Sequence, residues 1–90
     1  MVSGKVFPDV GKDEVQAHNL KVRGELIMQI DEHYRRTGMS IAKAAKAWGI
    51  PQRTLNALQN GRISQFSIEA LVKIAIRAGL KVHLVVRKAA

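Results

Sequence analysis

The sequence predicts a mainly α-helical bundle of four to five helices that ends in a β-strand. Three observations predict it. Apolar residues recur at i, i+3, i+4 and i+7 in successive stretches, capping Ser and terminating Gly residues separate those stretches, and the segment "KVHLVVRK" changes to a period of two.

The elements follow in order. Pro8 and Gly11 break up "KVFPDVGKDE", so residues 1–12 read as an irregular arm that packs through Val6 and Phe7, with the folded domain expected over 13–90. From about Asp13 a long helical pattern sets in: Val15, Val22, Leu26, Ile30 and Tyr34 step by sevens and fours, with Leu20 and Ile27 beside them. Asp13 with Gln16 forms a weak capping box, and Gly38 closes the helix behind Arg35 and Arg36. Gly24 lowers helix propensity by about 1 kcal/mol relative to Ala, so a bend or restart is expected there. Ser40 is a good N-cap, and Ile41, Ala44, Ala45 and Trp48 make one apolar face two turns long. Gly49 supplies a left-handed turn and Pro51 suits the first position of the next helix, which buries Leu55 and Leu58 and stops at Asn60-Gly61. Ser67 caps a further helix with Ile68, Leu71, Val72, Ala75 and Ala78 at helical spacing and Gly79 after its end. In the tail, Val82, Leu84 and Val86 alternate with His83, Val85 and Arg87, which reads as a strand over about 81–88.

Ninety residues make one small domain, of a size that buries only about 60% of its unfolded surface and gains from a partner subunit. No Cys is present, which excludes a disulfide framework and a thiolate zinc site. No apolar run approaches the roughly 20 residues of a membrane span, and "MVSGKVFPDV" lacks the apolar centre of a secretory signal. A soluble cytoplasmic protein, without membrane contact, is therefore expected. The formal net charge is +8, and all of it lies in the second half. Met1 to Gly38 balances its basic and acidic residues, whereas Met39 to Ala90 carries Lys43, Lys46, Arg53, Arg62, Lys73, Arg77, Lys81, Arg87 and Lys88 against Glu69 alone. Such asymmetry points to a polyanion, and to nucleic acid first, because phosphate neutralisation releases counterions.

The stretch "SIAKAAKAWGIPQRTLNALQNGR", Ser40 to Arg62, carries the sharper signal. A helix-turn-helix needs a short first helix with a small residue at its middle, a glycine at the turn, and two apolar residues on the inner face of the second helix. Ala45, Gly49, Leu55 and Leu58 fill those places, which puts the motif at about residues 40–61. With Leu55 and Leu58 inward, Gln52, Arg53 and Asn56 point outward, and these are side chains that pair bidentately with adenine or guanine edges.

These residues resemble the lambda-repressor-like (Cro/cI, Xre-type) DNA-binding domain. The continuation "SQFSIEALVKIAIRAGLKVHLVVR" is similar to a branch of it, the HigA-like antitoxins of toxin–antitoxin pairs, which add a C-terminal strand. The resemblance implies that Gln52, Arg53 and Asn56 face bases in double-stranded DNA, and that Ser40, Asn60 and Arg62 hold phosphates. Many relatives carry a phosphate-binding Gln where this chain has Ile41, so Lys43 is the candidate to replace that contact. It further implies a homodimer whose strands pair across the two-fold axis through Val82, Leu84 and Val86, a repressor's role in transcription, and a cognate toxin as a possible partner. An unpaired apolar strand edge is an aggregation hazard, which independently favours pairing.

Other residues invite plainer readings. His18, His33 and His83 are too scattered for a metal site, Trp48 lies on an apolar face where it belongs to the core, and Arg35 and Arg36 suit a helix C-terminus. No nucleophile elbow, phosphate loop or carboxylate pair occurs, so neither an enzyme nor a cofactor is expected. The competing function is a toxin-sequestering interaction protein with weak or no operator specificity, using the charge-balanced first half. RNA binding stands third, because no aromatic platform is laid out on a sheet. The charge asymmetry predicts a salt-sensitive complex with duplex DNA, log K falling against log salt by about 0.9 for each phosphate neutralised. Binding titrations at low and moderate salt check this, and an affinity that barely changes would overturn the charge argument.

Overall fold

The computed structural model of the chain describes residues 12–83, 85, 86 and 88. The expected arm lies outside them apart from Lys12, with which the first helix begins. Among the described residues there are four α-helices, α1 (Lys12–Thr37), α2 (Ile41–Trp48), α3 (Gln52–Gln59) and α4 (Ile68–Arg77), with a short 3-10 turn at Ile63–Gln65. α1 packs against α4, α3 and the 3-10 turn, while α2 packs on α3.

Each cap has a chemical cause. The side chains of Ser40 and Ser67 accept from the backbone N–H groups of Lys43 and Ala70 at 3.2 and 3.1 Å, satisfying donors that the first helical turn leaves open. Pro51 sits one position earlier than expected: it is the extended N-cap of α3, and its carbonyl accepts from Thr54 and Leu55 at 3.0 and 3.3 Å. α2 and α3 both end in a Schellman motif. Ile50 N–H donates to Ala45 O at 3.0 Å and Arg62 N–H to Ala57 O at 3.1 Å, each pair closed around a glycine, Gly49 at φ 70° and Gly61 at φ 67°.

The core joins all four helices. Ile27 and Ile30 from α1, Ala44, Ala45 and Trp48 from α2, Leu55 and Leu58 from α3, Phe66, and Leu71, Ile74 and Ala75 from α4 form one buried cluster. Ile30, Leu55, Leu58 and Leu71 are its fully buried large side chains, each contributing about 1.5–3 kcal/mol of burial. Trp48 is buried as expected, edge-on to Tyr34 at 6.2 Å and stacked on His33 at 6.1 Å between ring centroids.

The structure departs from the sequence's expectations in three further places. α1 continues unbroken through Gly24 and does not restart there. There a Cβ would lie 3.6 Å from Ile63 Cδ1, so the helix is seated against the 3-10 turn at this point, and its packing outweighs a lost propensity of about 1 kcal/mol. Secondly, Val15, Leu20 and Val22 follow the helical period but are exposed. Twenty-six residues span about 39 Å, whereas α2 and α3, eight residues each, span about 12 Å, so the bundle covers only the later turns of α1. Thirdly, the C-terminal strand is not seen among the described residues. Val82, His83, Val85 and Val86 are exposed and lie in no strand, while Leu84 and Arg87 fall outside the described residues. A strand needs a neighbour for its backbone groups, and the described residues of the single chain offer none.

The burial of Trp48 predicts that Trp48→Ala destabilises the domain by about 3–5 kcal/mol, read from the denaturant midpoint. Gly49→Ala forces a side chain into left-handed backbone and is expected to cost about 1–2 kcal/mol in the same measurement.

Candidate nucleic-acid interface

The interface begins with the way α3 is held. Leu55 and Leu58 are fully buried, so the opposite side of this two-turn helix is turned outward. At 3.6 residues per turn Gln52, Arg53 and Asn56 fall within an arc of about 100°, and all three are exposed. Ala44 and Ala45, almost wholly buried, keep α2 thin where α3 lies against it. The left-handed Gly49 then turns the chain within two residues into Pro51.

Beyond α3 the chain folds back rather than running on. Gly61 N–H donates to Leu58 O at 3.1 Å, Gln65 N–H to Arg62 O at 3.1 Å and Phe66 N–H to Ile63 O at 3.1 Å. This compact return creates an open groove beside α3 whose polar lining includes Arg53, Asn56, Asn60, Arg62 and Gln65, over the buried Ala57 and Phe66. Two guanidinium groups and three side-chain amides on one exposed surface can donate to phosphate oxygens and can both donate to and accept from base edges.

Four of the residues expected from the sequence, Arg53, Asn56, Asn60 and Arg62, thus meet in one place. Gln52, Ser40 and Lys43 are exposed but lie outside the groove's lining. Ser40 uses its hydroxyl oxygen to cap α2, which leaves the hydroxyl proton for an outside acceptor. Ile41 is half-buried against the core, which explains why an apolar residue stands there, and Lys43 is exposed two positions on. Of the expected dimerisation residues Val82 and Val86 are exposed, and Leu84 is outside the described residues.

Gln65 and Thr54, which also line the groove, were not anticipated. The signal for Gln65 was its spacing from Arg62, because residues three apart eclipse each other in 3-10 geometry. Nothing in the linker "RISQF" announces that geometry in advance.

The charge balance of the fold sharpens the picture. Among the described residues the ion pairs are Arg35–Asp31 at 3.1 Å and Arg36–Glu32 at 2.6 Å, both within α1. No basic residue after Met39 is paired in this way among the described residues, so the positive charge of α2, α3 and the following turn is presented uncompensated. No group of three His, Asp or Glu that could hold a metal occurs among the described residues, and none of their helices is long and apolar enough to cross a membrane.

A short helix, a glycine turn and a second helix with an exposed amide-and-guanidinium face define a helix-turn-helix protein of the DNA-binding kind. The chain belongs to the helix-turn-helix domain family, whose match extends over residues 6–87 and so takes in nearly the whole sequence. No curated protein sequence matches it.

Proposed function

We propose that the chain is a sequence-specific transcriptional regulator that acts as a repressor at an operator and forms the antitoxin half of a toxin–antitoxin pair. The observation that carries the DNA reading is the meeting of Arg53, Asn56, Asn60 and Arg62 on one groove, in a half-chain whose basic residues form no ion pair among the described residues. In this reading α3 enters the major groove, Gln52, Arg53 and Asn56 read base edges, and Ser40, Lys43, Asn60 and Arg62 hold the flanking phosphates. The exposed Val82 and Val86, with Leu84 between them, pair with the same segment of a second chain, forming a strand only in the homodimer. Two copies then present two recognition helices to two half-sites.

A protein partner is favoured by a separate observation. Val15, Leu20 and Val22 expose apolar surface on the first turns of α1, where the charge is balanced and DNA has no reason to bind. Val15 and Val22, seven residues apart and so on one side of the helix, suit capture of a toxin. If that is the chain's chief task, operator specificity is weak or absent.

Reading and holding are separable by mutation. Arg53→Ala is expected to lose about 1–3 kcal/mol on a selected operator and to relax preference at one base position. Arg62→Ala is expected to weaken all duplexes alike and to shallow the salt slope by about one unit. Titration of both folded variants on selected and scrambled duplexes at two salt concentrations decides; equal, uniform losses would remove α3 from base reading. Sedimentation checks the assembly. The intact chain is expected as a dimer at micromolar concentration, and a chain truncated after Lys81 as a monomer or an aggregate that binds the operator more weakly.

A further inference from the structure

The 3-10 turn at Ile63–Gln65 carries Arg62 and Gln65 on its two ends, yet no side chain of its own caps it. A residue 40 positions away in sequence reaches it. Arg23 of α1 is half-buried, and its Nη1 donates to Ile63 O at 3.1 Å and to Phe66 O at 3.0 Å, so one nitrogen bridges the carbonyls on either side of the turn. Its neighbour Gly24 lies beneath the Ile63 side chain. The Nε of Arg23 is buried with no partner among the described residues. Leaving a guanidinium donor without a partner is costly, and a purely packing role at this point would be served by an apolar side chain. The terminal nitrogen of Arg23 carries two N–H donors, which is what holding two carbonyls at once requires.

We propose that Arg23 is a positioning residue for DNA binding: it clamps the turn after the recognition helix so that Arg62 and Gln65 stand in register with Arg53 and Asn56. The proposal rests on the DNA reading of the groove above and deepens it by tying the interface to α1. Ile63 is itself half-buried and Phe66 is buried, so the turn is anchored on its apolar side. The other hydrogen bonds of the turn are backbone bonds to residues no more than five positions away, among them Ile63 N–H to Gly61 O at 2.8 Å. Arg23 adds the side-chain bonds that tie the polar side of the turn to a distant helix. Ordering the turn before DNA arrives spares the complex the cost of ordering it on binding.

The test is a double-mutant cycle on a mixed-sequence duplex. Arg23→Met keeps length and apolar bulk but removes every donor, and it is expected to weaken binding about ten-fold in the otherwise natural chain. In a chain already carrying Arg62→Ala and Gln65→Ala the same change is expected to cost less than about two-fold, because the side chains it positions are gone. An undiminished loss in that background would mean that Arg23 touches DNA itself or supports the whole fold, and would overturn the proposal. Amide hydrogen exchange without DNA provides a second reading. Arg23→Met is expected to speed exchange at Gln65 and Phe66 while leaving Leu55 and Leu58 unchanged, and Arg23→Lys, which should still fold if the apolar variant does not, is expected to show a smaller increase at the same two amides. Unchanged exchange at Gln65 and Phe66 would also overturn the clamp. The DNA reading fails separately, if Arg53→Ala and Arg62→Ala leave duplex binding as it was.

Discussion

Everything at the interface depends on the close approach of α2 and α3. Two helices of eight residues are each too short to persist alone in water, so their stability comes from what they bury together. Ala44 and Ala45 keep α2 thin, Leu55 and Leu58 fill the space that this leaves, and the left-handed Gly49 sets the direction of the turn between them. Once that pair is packed, the orientation of the outward face of α3 follows without any interaction on that face. Its polar residues are free to be chosen for what they touch.

The remaining elements serve this pair in different ways. α4 and the later turns of α1 close the core over Trp48 and Leu71, and Arg77 Nη1 lies 3.4 Å from Gly49 O, linking the end of α4 to the turn of the motif. His33, whose Nε2 is 2.9 Å from Ala78 O, ties α1 to the same C-terminal end of α4. α1 is therefore the frame of the domain. It touches α4, α3 and the 3-10 turn, and its first turns extend past all of them. The division of charge follows the same plan, with ion pairs along α1 and, among the described residues, none on the motif side. A helix whose charges cancel is suited to a protein surface, and a face whose charges do not cancel is suited to phosphate.

Much of this was readable from local chemistry. Ser40 and Ser67 as caps, Gly49 and Gly61 as stops, and Leu55 and Leu58 as the inner face of α3 all depend on residues within a few positions of one another, and the structure keeps each of them. The misread elements depend on distant partners. Gly24 looked like a break until Ile63 was brought over it, Val15 and Val22 looked like core until the bundle proved too short to reach them, and the tail looked like a strand although the described residues supply nothing for it to pair with. Periodicity records which side of an element is apolar. It does not record whether another element arrives to cover that side.

The candidate site divides along the same line. The sequence alone determined the outward set Gln52, Arg53 and Asn56, because helical geometry turns them away from Leu55 and Leu58 whatever the rest of the chain does, and it determined the excess of positive charge after Met39. Only the tertiary structure decided that Asn60, Arg62 and Gln65 join Arg53 and Asn56 on one groove, and that Arg23 holds the turn that carries them. The physical reason is the length of the contact. A helix face is set by bonds four residues long, which sequence spacing encodes directly, whereas the bond from Arg23 to Ile63 crosses 40 positions and exists only after α1 has packed against the motif.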